Sequence, residues 1–135
     1  MGVSTDTRSL PAGALFVAIA WLLVWAWRGY FALGSLPALA VALGFTTFAY
    51  GAVIGVLLQV QMASGTTMFP GGGDVIGAHA GTMVFSYLVL VAMGLIEWRV
   101  RGTAGRPVAG LVQMAALFGG GLLLAIVQLF LPDQV

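Results

Sequence analysis

The chain has 135 residues, of which 61% are hydrophobic and only 7% are charged, and its formal net charge is +1. In soluble domains about a quarter of all residues are charged, so this chain has too little polar surface to cover a globule in water. We therefore expect one integral membrane domain over residues 1–135. The small net charge gives no support for nucleic-acid binding. The absence of cysteine excludes disulfides and thiolate metal sites.

Four apolar stretches are long enough to cross a bilayer, which requires about 20 residues in a helix. They cover approximately residues 13–33, 37–63, 75–98 and 108–131. Backbone groups in hydrocarbon must be bonded within their own segment, so each stretch is predicted to be a helix. The first stretch ends in tryptophans and an arginine rather than a small-residue cleavage site, which favours a retained helix. The predicted fold is an all-α integral membrane four-helix bundle made of two helical hairpins.

The arginines predict the orientation of the bundle. Arg28 lies between the first two stretches, and Arg99, Arg101 and Arg106 lie between the last two. By the positive-inside rule, both of these connections are cytoplasmic. The two termini and the connection at residues 64–74 then lie on the outer side. We expect a multi-pass protein of a prokaryotic inner (cytoplasmic) membrane.

Glycine, proline and aspartate predict the ends and contacts of the helices. Asp74 ends a connection rich in turn-forming residues and is expected to be the N-cap of the third helix. A ligand-binding or proton-handling role for Asp74 is the alternative. The glycines of the second and fourth stretches are expected to let helices pack closely. The triple glycine at residues 119–121 could instead leave room for a flat ligand.

His79 is the only histidine and lies near the start of the third stretch. An unpaired imidazole is costly in an apolar helix, so such a residue indicates a functional site. Neutral imidazole can ligate the iron of haem b or the magnesium of a chlorin. Gly77 and Gly81 would leave space for the macrocycle, and Met83 and Ser86 lie near His79 at helical spacing. The alternatives are proton or simple metal chemistry, or an imidazole bonded to a backbone carbonyl or a neighbouring subunit without any cofactor.

Glu97 is the only acidic residue of the third stretch, eighteen positions after His79. At 3.6 residues per turn the two residues share a face, about 27 Å apart along the helix. Glu97 is expected to form an ion pair at the membrane boundary, and proton entry is the alternative.

The run at residues 79–87, His-Ala-Gly-Thr-Met-Val-Phe-Ser-Tyr, resembles the NnrS family motif, which reads approximately H-A-H-E-M-L-F-G-F. It is also similar, more loosely, to the histidine-bearing helix of haem–copper oxidase subunit I. His79, Ala80, Met83 and Phe85 coincide with the NnrS motif. Its second histidine and its glutamate are replaced by glycine and threonine. The resemblance implies a redox or haem-associated membrane protein with His79 as the ligand.

These observations predict a small integral membrane subunit of an electron-transfer or related complex, which is not an enzyme by itself. Its expected partners are the lipid bilayer and other membrane subunits or a second copy of the chain. One alternative is a structural or accessory subunit without a cofactor. Another is a small dimeric transporter. The lack of a charged residue near the bilayer midplane argues against a transporter of cations or protons.

Overall fold

The computed structural model describes residues 2–69, 73–101 and 108–131, and this part of the chain is entirely helical apart from short connections. Its elements are α1 (Gly2–Leu33), α2 (Leu36–Ser64), α3 (Val75–Gly81), a π-helix (Thr82–Leu88), α4 (Val89–Arg101) and α5 (Val108–Phe130). The segments from α3 to α4 follow one another without a break. We refer to them together as the third span.

Among the described residues, four helices are long and apolar enough to cross a membrane, which confirms the four predicted spans. They are Gly13–Leu33, Leu36–Ser64, Val75–Val100 and Gly110–Phe130. α1 begins earlier than predicted because helical hydrogen bonding continues beyond the apolar residues that hydropathy detects. Large apolar side chains point away from the bundle on every span, for example Val17 and Leu123, which are 71% and 62% exposed. This surface is suited to lipid, so the protein is a multi-pass membrane protein.

α2 is the central helix of the bundle. It contacts α1, all three segments of the third span and α5, whereas α1 contacts α2 alone among the described helices. The third span also contacts α5. Buried side chains form two clusters, one at each end of α2. The first contains Ile54, Val75, Ala78, Ala125 and Leu129, and the second contains Leu36, Ala40, Leu90 and Met114.

The ends of α2 follow from local sequence. The Ser35 hydroxyl accepts a hydrogen bond from the Ala38 N–H at 3.4 Å, and Pro37 occupies the first turn, where a missing N–H has no cost. At the other end Gly65 has a φ of 69°, and its N–H donates to the Gln61 carbonyl at 3.0 Å. A left-handed residue in this position favours glycine, which explains why α2 stops there.

Asp74 is the N-cap of α3, as predicted. Its carboxylate accepts a hydrogen bond from the Gly77 N–H at 2.8 Å. The Asp74 N–H donates to the Gln128 carbonyl at 2.8 Å, which ties the start of the third span to the end of α5. A Cβ at Gly77 would meet the Asp74 carboxylate in its present position, so a larger residue there would make the capping side chain move.

Glycine-mediated packing is confirmed between α2 and the third span. A Cβ at Gly44 would lie 2.6 Å from a Val91 methyl, and one at Gly51 would lie 2.9 Å from the Thr82 methyl. From the other helix, a Cβ at Gly94 would lie 2.9 Å from the Pro37 carbonyl oxygen. The missing side chains therefore let the two backbones approach each other.

The three consecutive glycines of α5 do not all face a neighbouring helix. A Cβ at Gly119 or Gly120 would meet nothing within 4 Å, whereas one at Gly121 would collide with the Ser86 hydroxyl. Only Gly121 therefore lies at a helix contact. Arg106, one of the arginines on which the predicted orientation depends, lies outside the described residues.

Candidate cofactor-ligand site at His79

His79 lies in the last turn of α3 and contacts α2. Its Nδ1 is 2.8 Å from the Gly51 carbonyl oxygen. Gly55, one turn further along α2, provides the space for the ring. A Cβ there would lie 2.8 Å from Cε1 and 3.1 Å from Nδ1 of His79. The imidazole therefore lies against the α2 backbone at a place where only glycine fits.

The Gly51 contact determines which nitrogen of His79 carries a hydrogen. A carbonyl oxygen can only accept, so Nδ1 must be the donor. In the neutral ring, Nε2 then has the free lone pair. Metal-ligating histidines usually have this arrangement, in which the nitrogen away from the metal donates to a carbonyl or a carboxylate. The same bond also satisfies the polar ring in an apolar bundle without any cofactor, so it is compatible with both interpretations of His79.

The π-helix begins three residues after His79 and runs for seven residues, from Thr82 to Leu88. Segments with i→i+5 hydrogen bonds are rare and frequently occur at functional sites. Both buried hydroxyls of this segment are bonded to carbonyls. Thr82 donates to the Ala78 carbonyl at 2.7 Å, and Ser86 donates to the Leu117 carbonyl of α5 at 3.2 Å. The π-helix is thus linked to the preceding turn and to α5.

The structure brings Met83 and His79 to the same part of α2. The Met83 methyl would lie 3.1 Å from a Cβ at Gly51, the residue whose carbonyl accepts from His79. The other predicted site residues lie against different neighbours. A Cβ added at Gly77 would meet the Asp74 carboxylate. A Cβ added at Gly81 would lie 3.9 Å from the Gln128 amide oxygen. Ser86 faces α5.

Glu97 lies on α4, near the end of the third span. Glu97 lines an open groove with six apolar residues, which are Val84, Leu88, Val89, Ala92, Met93 and Ile96. The π-helix lies between His79 and Glu97. Its wider turns change the register of the residues that follow, so a spacing of 3.6 residues does not hold along the whole span.

Tyr50 is a further polar residue in this region that sequence reasoning did not select. Its hydroxyl is buried and has no hydrogen-bond partner among the described residues. Thr47 is the polar side chain beside it, and the Thr47 hydroxyl donates to the Leu43 carbonyl at 3.0 Å. The Tyr50 ring packs edge-on against Phe118 with centroids 6.5 Å apart. In the sequence, the feature that could have identified Tyr50 is a polar hydroxyl beside Gly51 in the middle of an apolar span.

Few side chains that could ligate a metal ion lie in this region. Among the residues that the structure describes, no three His, Cys, Asp or Glu side chains are grouped closely enough to hold a metal ion. A simple metal site built from this part of the chain alone is therefore not supported. A tetrapyrrole differs, because the macrocycle supplies four nitrogen ligands and the protein has to supply only the axial ones.

The chain matches no protein-family model, no curated protein and no solved structure. Fold and site together therefore define only a class, that of all-α, multi-pass membrane proteins. The most distinctive chemical feature of this protein is a histidine that is hydrogen-bonded to a neighbouring helix.

Proposed function

We propose that this protein is a small integral membrane subunit of an electron-transfer or related complex, in which Nε2 of His79 is an axial ligand of a haem b. The observation that carries the proposal is the 2.8 Å contact between Nδ1 of His79 and the Gly51 carbonyl. It fixes the hydrogen on Nδ1 and leaves Nε2 as the lone-pair donor. A bound haem would supply one-electron redox chemistry, with a potential that depends on the axial ligands and the apolar surroundings.

One ligand per chain limits the form that such a centre takes. Met83 is one turn further along the same helix, too close to His79 to reach the opposite face of the same iron. The second axial ligand would come from a second copy of the chain or from another subunit, or the iron would be five-coordinate. The His79 side chain is only partly buried by its own bundle, which is consistent with a site completed by a partner.

An absorption spectrum tests the proposal directly. The protein should be purified in a mild detergent, and the oxidised and reduced spectra compared for wild type, His79→Ala and Gln113→Ala. Gln113 is an exposed polar residue of α5 and provides the matched control. We expect a Soret band in wild type and Gln113→Ala and its loss in His79→Ala. A pyridine haemochrome assay distinguishes haem b from a chlorin.

Two results would contradict haem ligation. One is wild-type protein without a chromophore after expression with a haem precursor. The other is a chromophore that His79→Ala retains unchanged. Circular dichroism and gel filtration of each variant separate loss of ligation from loss of folding.

The second candidate is a structural or accessory membrane subunit without a cofactor. The same His79–Gly51 hydrogen bond is compatible with this function, because the bond already satisfies the imidazole by linking α3 to α2. The large apolar surface left exposed on α1, including Trp21 at 72%, would then serve contacts with lipid or other subunits. A colourless wild-type protein in which His79→Ala lowers stability would favour this function.

We also propose that the helices form two hairpins in a prokaryotic inner membrane. Both termini and Ser64 would lie on the outer side, and Arg28 and Arg99 on the cytoplasmic side. The distribution of arginines supports this orientation.

A further inference from the structure

A groove lies between α1, α2 and α4 at the end of the bundle that carries Arg28 and Trp98. Its volume is about 540 Å³, within the range of ligand pockets. It exists because α1 contacts α2 and not the third span among the described residues. Pro37 and Val41 of α2 are among its lining residues.

The chemistry of the groove is divided between its walls and its rim. The walls are almost entirely apolar, and they include Trp25 and Trp98, which are 60% and 61% exposed. The Arg28 guanidinium is the only charged group among the lining residues, and Arg28 is exposed. Gly29 opens the groove further, since a Cβ there would meet nothing within 4 Å.

We propose that this groove binds an anionic phospholipid, with one acyl chain along its apolar walls and the phosphate held by Arg28. A guanidinium matches phosphate oxygens with paired, charge-assisted hydrogen bonds. Exposed tryptophans are common at the level of lipid headgroups. Basic pockets between transmembrane helices are known to take anionic headgroups. A single molecule of this class therefore satisfies both the charge and the apolar volume.

The neighbouring charges agree with an anionic occupant. Glu97 is the only acidic residue described on α4, and it lines a different groove on that helix. Arg99, which is exposed beside Trp98, adds a second positive charge at this end of the bundle. A partner helix in the same groove would need a carboxylate opposite Arg28 between apolar walls. A phospholipid supplies both an anion for Arg28 and an acyl chain for the apolar walls.

The test is a titration of delipidated protein in detergent, followed by native mass spectrometry. Palmitoyl-oleoyl phosphatidylglycerol and the phosphatidylcholine with the same chains are the two probes. We expect wild type to bind one phosphatidylglycerol in preference to phosphatidylcholine. Arg28→Gln should weaken binding of phosphatidylglycerol by about tenfold, the effect of losing a hydrogen-bonded charge pair.

Two further variants separate the groove from the general surface. Arg99→Gln removes the same charge from outside the groove and should leave the affinity within about twofold, since Arg99 does not line the groove. Gly29→Phe keeps Arg28 and fills the groove, and it should also weaken phosphatidylglycerol binding. Gly29 has free space around it, so this variant is expected to fold.

Several outcomes would overturn the proposal. Equal losses in Arg28→Gln and Arg99→Gln would show attraction to the charged surface rather than a site. Full binding by Gly29→Phe would place the lipid elsewhere. Displacement of the lipid by inorganic phosphate at similar concentrations would show an anion site without an acyl chain. A protein dimer that Gly29→Phe dissociates, with no bound lipid, would show that a second copy occupies the groove.

Discussion

The contact between Gly55 and His79 yields a prediction that isolates one pair of residues. In Gly55→Ala, the new methyl would lie 2.8 Å from Cε1 of His79, too close for the ring to keep its position. Movement of the ring away from this methyl would weaken or break the hydrogen bond from Nδ1 to the Gly51 carbonyl. The substitution therefore acts on α2 but changes the environment of a residue on α3.

The expected cost follows from two opposing effects. A donor left unpaired in apolar surroundings costs about 1–3 kcal/mol. Alanine in place of glycine in a helix stabilises it by about 0.5–1 kcal/mol. We expect Gly55→Ala to lower the free energy of unfolding by about 1–2 kcal/mol in an otherwise unchanged protein. In a His79→Ala background both the collision and the donor are gone, so the same substitution should stabilise by about 0.5–1 kcal/mol.

The assay is a double-mutant cycle measured by reversible unfolding in mixed micelles of increasing dodecyl sulfate content. Circular dichroism reports the helix content. The predicted coupling energy between the two sites is about 2 kcal/mol. This is well above the deviation from additivity that independent sites show. Gly120→Ala is the control, because a Cβ there meets nothing within 4 Å, and its effect should be equal in both backgrounds. Additive effects of Gly55→Ala and His79→Ala, within about 0.5 kcal/mol, would refute the geometry of this contact.

Three further predictions concern other parts of the bundle. Asp74→Ala should lower the unfolding free energy by about 0.5–2 kcal/mol, because it removes the N-cap, and Asp74→Asn should largely preserve it in the same assay. Gly121→Ala should destabilise by about 1–3 kcal/mol, because the added methyl meets the Ser86 hydroxyl, and a neutral result would show that α5 packs differently. The chain has no cysteine. In intact cells, a membrane-impermeant thiol reagent should label Ser64→Cys and leave Arg99→Cys unlabelled, whereas the reverse pattern would invert the proposed orientation.

Hydropathy alone predicted the number and approximate positions of the spans, because transfer of about 20 apolar residues into hydrocarbon depends on composition and length and little on what they pack against. The N-cap at Asp74 and the start of α2, one residue before Pro37, were also predictable. These are local interactions, which depend on residues within one turn of each other. The same holds for the candidate ligand His79, since a single imidazole in an apolar segment is visible in the sequence.

The partners of these residues were decided by tertiary structure. Gly51 and Gly55 lie in another helix, and only the packing of α2 against the third span shows that one provides the acceptor for His79 and the other the space for its ring. The π-helix could not be read from a spacing of 3.6 residues, yet it changes the helical register between His79 and Glu97. The groove at Arg28 likewise depends on α1 contacting α2 alone among the described helices. Composition sets which solvent surrounds a helix, whereas the atoms that meet between helices depend on distances that a linear sequence does not contain.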